Sequence, residues 1–442
     1  MNKWVVLFFV LALLTVFCIV LQPTKGVSEA IVVPDDYATI QAAIDAAPAG
    51  ATVFVKSGTY LNQSLVITKP ILLIGENQKT TILQGKGDVY PVPQSSVSST
   101  GATEVTLLGY ETSLLNFIPR IEIVINVNAS DVTISGFTIE NCNKGITGAG
   151  DRTRIVGNTI TANGESCISL EGSNMTVANN SLFGRGGASG VSFGGSYNNV
   201  TDNKIVDISV GITFLGQFNS VSGNTILGNS GFGMQVMGSF HVISNNNVTG
   251  GRMGFRLGSC SGSIFNRNVV MKQTERALYV DSSDDNVLHE NYIGSNQGRI
   301  IYFSGTSKNN KLYDNTFMNN SNNMQFFLNN QTNSWDNGTI GNYWSDYSGA
   351  DANHDGIGDT PYVINEKNAD NLPLMNPSVT AEVAALAADP SASPTSSPTS
   401  TVTPPNPEPF PTGQAIAIVA SIVVATVGLF VFFKKSRNHA GG

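Results

Sequence analysis

The sequence predicts an all-β fold, a single-stranded parallel β-helix with rungs of about 22 residues. Three observations carry that prediction. An Asn-x-apolar triplet recurs at Asn158-Thr-Ile160, Asn180-Ser-Leu182, Asn203-Lys-Ile205, Asn224-Thr-Ile226, Asn268-Val-Val270, Asn291-Tyr-Ile293 and Asn315-Thr-Phe317, with Asn246-Asn247-Val248 in the same series and neighbours 21 to 24 residues apart. A small residue followed by apolar-x-apolar recurs as GITF (211–214), GMQV (233–236), GFRL (254–257), ALYV (277–280) and IIYF (300–303). A lone apolar residue precedes each Asn, at Val200, Val221, Val242, Ile264, Val287 and Leu312. Period-two runs this short, separated by Asn and Gly, are strands rather than helices. Three strands and three bends make one rung, and roughly ten rungs stacked at about 4.8 Å give a rod about 50 Å long. The recurring Asn is read as a corner residue that tolerates a left-handed backbone and bonds to the next rung, and the apolar residue after it as core. Leucine-rich repeats share the period but need a Leu-x-x-Leu-x-Leu frame, and Leu is scarce here.

In chain order, Lys3 and the uncharged run Trp4–Leu21 read as a secretory signal, with cleavage after Ala30 favoured by small residues at Ser28 and Ala30 and an uncleaved anchor as the alternative. Residues 31–85 hold the N-terminal cap and first rungs. Within them 37–50 reads as an amphipathic helix, with Thr39 as N-cap, Ile40 and Ile44 on one face, and Pro48 and Gly50 ending it. Residues 86–120 break the period and read as an inserted loop. The repeats run over 121–345, and 346–376 form the C-terminal cap, with Trp335, Tyr343, Trp344 and Tyr347 covering the last rung. A Pro/Ser/Thr stalk over 377–413 cannot build a core and acts as a spacer. The segment 414–433, uncharged over Ala415–Phe433, is long enough to cross a bilayer, and the KKSR that opens the tail 434–442 places that tail in the cytoplasm and the ectodomain outside. The expected location is the cell surface, as a single-pass membrane protein. Oligomeric state is not legible.

Composition narrows the function. The 442 residues include 45 Gly and only 13% charged residues, with a net charge of −8. The ectodomain has no basic block, which argues against nucleic-acid binding. Cys142, Cys167 and Cys260 remain after signal removal; an odd number gives no disulfide framework, although Cys142 and Cys167 lie about one rung apart. Nine Asn-x-Ser/Thr sequons, at Asn62, Asn128, Asn174, Asn179, Asn199, Asn247, Asn319, Asn330 and Asn337, fit an outward-facing glycoprotein, each individually weak in an Asn-rich repeat.

The opening VPDDYATIQAAIDAAPAGATVFVKSGTY, the rung DVTISGFTIENC and the closing GNYWSDYSGADANHDGIGDTPYVI resemble the NosD-like right-handed β-helix family. The resemblance covers about residues 31–375 and implies a right-handed, pectin-lyase-like solenoid related to carbohydrate-binding and sugar-hydrolase β-helices. It also implies copper binding, the property for which the periplasmic namesake is called. Copper sites use His, Cys and Met. The ectodomain has only His241, His289 and His354, with no His-x-His or Met cluster, so copper is not expected. Pectinesterases share the IQAAIDAAPAG opening and polygalacturonases need an Asp pair with Gly-His-Gly, which is missing. The pair Asp284-Asp285 reads as a turn.

Two candidate sites remain. The middle residue of each apolar-x-apolar strand points outward. In order that column is Thr147, Ser169, Ser192, Thr213, Gln235, Arg256, Tyr279, Tyr302 and Gln325, flanked by Arg252, Glu275, Arg276, Asp281 and Arg299. Sugars stack on aromatic rings and Arg pairs bidentately with uronate or sulfate, so Gln235, Arg256, Tyr279, Arg299, Tyr302 and Gln325 are the expected polysaccharide contacts. The plainer reading is an ordinary solvated sheet face. The second is DANHDGIGD (351–359), where Asp351, Asn353, Asp355, the Ile357 carbonyl and Asp359 occupy positions 1, 3, 5, 7 and 9 of a calcium loop and Gly356 occupies position 6. Position 12 is Tyr362 instead of Glu, so Asp346 or Asp370 would have to help, and the alternative is a plain Asp/Gly turn. The sequence thus predicts a surface-anchored binder of extracellular or cell-envelope polysaccharide, with no catalytic residue assigned and Ca2+ as a structural cation. The alternatives are a polysaccharide lyase or glycoside hydrolase using Glu275, Asp281 and Arg299, then a structural envelope protein or adhesin, and last a copper accessory protein.

Overall fold

A computed structural model describes residues 30–85, 123–184, 187–320, 327–328 and 332–378. The signal segment up to residue 29, the insertion 86–120, Gln325, Asn330, the stalk beyond residue 378 and the 414–433 segment lie outside the described residues. Among the described residues no helix is long and apolar enough to cross a membrane.

The chain winds as an all-β, right-handed parallel solenoid of about 11 turns. One turn is Asn199–Thr201, Lys204–Val206 and Val210–Gln217, and the next is Ser220–Ser222, Thr225–Leu227 and Phe232–Ser239. Each strand pairs in parallel with its counterpart one turn on, so twelve short strands from Ile31–Val33 to Lys311–Tyr313 make one continuous sheet. The predicted rung of three strands and three bends is therefore the observed one. Inward residues stack in columns, such as Ile160, Leu182, Ile205, Ile226, Val248, Val270, Ile293 and Phe317. All eight are at most 2% exposed.

One expected column is shifted by a residue. Val200, Val221 and Leu312 face inward, but Val242, Ile264 and Val287 face outward, and Ile243, Phe265 and Leu288 take the core positions. Two adjacent apolar residues satisfy a period-two pattern equally well, so the pattern alone did not fix which one points inward.

The recurring Asn is not itself the left-handed corner. That conformation belongs to the residue before it, such as Asn179, Asp202, Asn245 and Asp314, each with φ near 55°. The Asn side chains point into the wall and form a ladder. Asn158, Asn180, Asn203, Asn224, Asn246, Asn268, Asn291 and Asn315 each donate Nδ2 to the Oδ1 of the Asn one turn on, at 2.9–3.2 Å. Each also donates back to a carbonyl one turn before, as from Asn224 to Val200 O at 2.9 Å. Buried backbone groups at the bends are satisfied this way, which is why the residue type repeats.

A second ladder runs along the neighbouring bend through Asn198, Asn219, His241, Ser263, Asn286, Asn310 and Asn333. At its one His the Asn219 N–H donates to His241 Nδ1 at 3.2 Å, and Nε2 contacts Met237 O at 3.1 Å. Only the Nε2–H neutral tautomer satisfies both contacts. Burial pushes the His241 imidazole below its ordinary value of 6.5. A base depressed in the folded state contributes stability that is present above 6.5 and is lost as pH falls through the folded value. His241→Asn, which restores the ladder residue, is expected to flatten the dependence of the thermal midpoint on pH below neutrality. Melting curves across that range check it.

At the N-terminal end helix α1, Ile40–Ala46, is capped by Thr39, whose Oγ1 accepts from Ala42 N at 3.2 Å. It buries Ile40, Ala43 and Ile44 beside the strands Ile31–Val33, Ala51–Val55 and Leu65–Ile67. At the C-terminal end Trp344 stacks between Phe317 at 4.2 Å and Tyr362 at 4.4 Å. An antiparallel hairpin, Tyr362–Asn365 with Asn368–Asp370, follows. It supplies the last acceptor of both ladders. Asn368 Oδ1 accepts from Asn333 N and Trp335 Nε1, and Asp370 Oδ2 accepts from Asn342 N at 2.6 Å, Asn342 Nδ2 at 3.2 Å and Trp344 Nε1 at 2.9 Å.

Candidate functional site

The strand register confirms the outward column turn by turn: Thr147, Ser169, Ser192, Thr213, Gln235, Arg256, Tyr279 and Tyr302 are successive partners. The next partner of Tyr302 is Phe327, not Gln325. The run MQFFL reads equally well in two frames two residues apart, and the sequence reading took the earlier one. A parallel column starts three residues earlier on each strand, with Phe232, Met253, Arg276 and Arg299 as successive partners. Where the two columns change from small hydroxyls and apolar groups to Tyr and Arg, they converge.

Arg276 lies at the centre of this convergence. Its guanidinium carbon is 5.1 Å from the Tyr279 ring centroid and 4.9 Å from that of Tyr302, and the two rings meet edge to face at 5.2 Å. Arg256 lies 5.6 Å from the rings of both Phe232 and Tyr279, and Arg299 lies 5.2 Å from Tyr302. The ring faces attract the cations and hold them in place on consecutive turns. Two carboxylates flank them. Asp281 accepts from Ser304 Oγ at 2.7 Å and sits 3.5 Å from Arg256 Nη2. Glu275 bridges Arg252 at 2.6 Å and Arg276 at 3.2 Å. Three arginines on the rings thus face two acids, and Nε of both Arg256 and Arg276 is buried without an acceptor. The arrangement offers planar donors and aromatic surface along the rod axis. Gln235, at the edge, turns its Nε2 toward Met237 Sδ at 3.8 Å. Phe232 and Ser304 were missed from sequence, because neither lies in the apolar-x-apolar frame that flagged the column.

The calcium-type loop lies in the C-terminal cap, away from the Arg and Tyr turns. Its acceptors face the loop's own backbone: Asp351 accepts from Asp355 N and Gly356 N, Asp355 from Ile357 N, and Asp359 from Ala352 N. Of the two expected helpers, Asp370 is fully buried under the ladder and Asp346 accepts from Tyr362 OH at 3.3 Å. Asp370 is therefore not free to complete the loop. Among the described residues no group of three or more His, Cys, Asp or Glu side chains is placed to hold a metal ion. His289 stacks on Tyr313 at 5.4 Å, and His354 sits in the 351–359 loop. The Cys142, Cys167 and Cys260 thiols are buried, and Cys142 is in register with Ala162, not Cys167. Burial pushes the Cys167 thiol up to about 12 and that of Cys260 up to about 11. Asp285, with φ 59°, is a turn residue as expected, and Asp284 accepts from Lys308 N.

Comparison with known proteins agrees with this architecture. The family model described as periplasmic copper-binding protein (NosD) matches residues 183–349, and one described as rhamnogalacturonase A/epimerase, pectate lyase-like, matches residues 32–235. The chain is similar to the NosD family over residues 183–349 and winds as a right-handed β-helix. Its curated relatives include proteins named probable ABC transporter binding protein NosD. That of Stutzerimonas stutzeri is 33% identical over 104 residues, covering 24% of this chain and 23% of the relative. That of Pseudomonas aeruginosa is 27% identical over 159 residues, covering 36% and 34%. The NosD-like match therefore spans only about a quarter to a third of those relatives. Similar solved structures include a PL6 family alginate lyase, at TM-score 0.45 and 12% identity over 65% of this chain and 43% of that one. A family 28 exopolygalacturonase of Yersinia enterocolitica is similar at TM-score 0.43 and 12% identity over 69% of this chain and 78% of that one.

Proposed function

We propose that this is a cell-surface or periplasmic β-helix protein that binds an extended acidic polysaccharide along the Arg256–Tyr279–Arg276–Tyr302–Arg299 ladder. The observation that carries the reading is Arg276 held between two tyrosine rings, with further guanidiniums on the turns before and after. Rings supply surface for sugar C–H groups, and guanidiniums pair with carboxylates or sulfates. The match to a pectate lyase-like family model supports a carbohydrate ligand. The N-terminal apolar run and the 414–433 segment support export and anchoring, with the ectodomain outward.

A panel of acidic and neutral polysaccharides, followed for both binding and chain length, tests this. Acidic polymers are expected to bind without shortening, and Tyr279→Ala and Tyr302→Ala each to weaken binding about tenfold. No binding to any polymer would move the chain to the structural or adhesin class. A second reading, a polysaccharide lyase or hydrolase, is favoured by the Asp281 carboxylate between Ser304 and Arg256. Shortened chains would establish it.

The loop 351–359 is proposed to take Ca2+ through Asp351, Asn353, Asp355, Asp359 and the Ile357 carbonyl. Oxygen donors at alternate positions support that reading. Calcium is expected to raise the thermal midpoint, and Asp355→Ala to abolish the rise. A midpoint indifferent to calcium would leave the loop an Asp/Gly turn.

A further inference from the structure

At one corner of the solenoid, three successive turns place Tyr197, Phe218 and Phe240 in the left-handed region, at φ 59°, 55° and 59°. Bulky side chains rarely adopt it. The same corner is held by Asn174 one turn before Tyr197, and by Asn309 further on, with φ 58° at both. The aromatic residues therefore strain the backbone at a corner where Asn174 and Asn309 adopt the same conformation at less cost. They are not core: the side chains are 60%, 44% and 52% exposed. The rings stack on one another, with centroids 5.2 Å apart and interplanar angles of 9° and 15°. The ridge ends where Gly262 follows, since a Cβ there would lie 2.8 Å from the Phe240 ring. Beside it Leu215, Val242 and Ile264 are 57%, 43% and 40% exposed. Contiguous exposed apolar surface of this kind marks an interaction site.

What covers it follows from ring geometry and charge. The ring faces are covered by each other, so mainly edges are presented. A sugar that stacks on faces finds little to hold, whereas an apolar protein surface packs well against a row of edges. The chain carries −8 overall, so two copies repel except through uncharged surface. From residue 208 to residue 251 there is no Asp, Glu, Lys or Arg. A contact about a two-fold axis sets a patch against itself, and this belt meets itself without like-charge repulsion. A different protein bound to an acidic rod would be expected to engage charged rim residues, which this stretch does not contain.

We propose that two copies of this chain associate side by side through the Tyr197–Phe218–Phe240 ridge and the flanking Leu215, Val242 and Ile264. This contact does not depend on the polysaccharide reading, because the ridge stands on the bends at 197, 218 and 240, turns that come before the Arg and Tyr ladder at 256–302. The test is sedimentation equilibrium of the full chain in a density-matched detergent, beside the double variant Phe218→Asn/Phe240→Asn. Asn is the residue the same corner uses at Asn174 and Asn309, so the variant is expected to fold with an unchanged or higher thermal midpoint. The parent is expected to be a dimer, and the variant to dissociate at least about 100-fold more readily. A monomeric parent overturns the proposal. So does a variant that dimerises as tightly as the parent, which would place the contact on another surface.

Discussion

Asp370→Ala is expected to cost about 3 kcal/mol or more in unfolding free energy, because it strips several buried donors of their acceptor at once. Those donors are the Asn342 N–H, the Asn342 side-chain amide and the Trp344 indole on Oδ2, and the Leu372 N–H on Oδ1 at 3.1 Å. The arrangement is specific down to Gly341, where a Cβ would lie 1.8 Å from Asp370 Oδ1. The ladder gives the carboxylate a further role. Each of the eight ladder Asn from 158 to 315 accepts on Oδ1 from the turn before or donates from Nδ2 to the Oδ1 of the turn after, so the chain of side-chain donors runs toward Asp370. A negative group belongs at that end, as an anion belongs at a helix N-terminus. Burial still pushes the Asp370 carboxyl above its ordinary range, against the pull of its donors. Asp370→Asn keeps the shape but turns one acceptor into a donor, and is expected to cost about 1–2 kcal/mol. The loss should be local first, because each turn of a solenoid contacts only its neighbours. Hydrogen exchange is expected to show turns around 310–345 opening before those near 160. Uniform loss of protection, or none, would remove the capping role.

The sequence made the rung legible because one Asn and one apolar column repeat at nearly constant spacing, and both do the same physical work in every turn. It also identified the column of Arg256, Tyr279 and Tyr302, since alternation fixes which residues face outward once the frame is known, whereas Arg276 and Arg299 entered only as flanking residues and their own column emerges from the strand register. It failed where the frame was ambiguous. Val242, Ile264 and Val287 were grouped with Val200, Val221 and Leu312 as the apolar residue before each Asn although their apolar neighbours hold the core positions, and Gln325 was taken for the column position that pairs through Phe327. Both errors are register errors of one or two residues, which only interstrand hydrogen bonds resolve. Asp370 was considered as a calcium ligand and proved to be the end of the ladder. No local pattern announces that role, because its partners Asn342 and Trp344 are 28 and 26 residues away.

Arg276→Ala is expected to have the largest effect on ligand affinity, about 10–100-fold for a polyuronate or sulfated polymer. Arg276 touches both tyrosine rings, at 5.1 Å and 4.9 Å, so its removal takes away a charge and frees the edge-to-face pair to shift. Arg276→Lys keeps the charge but loses the plane that lies on the rings and pairs bidentately, so it is expected to rescue only part of the loss. Rising salt should weaken binding by the parent more than by Arg276→Ala, because one screened contact is already gone. A neutral polymer of the same backbone should respond to Tyr302→Ala but little to Arg276→Ala. That contrast separates the ring contribution from the charge contribution on a single face. If acidic and neutral polymers lose affinity equally in Arg276→Ala, the arginine acts by holding the tyrosines in place, and the ligand is read through the rings alone.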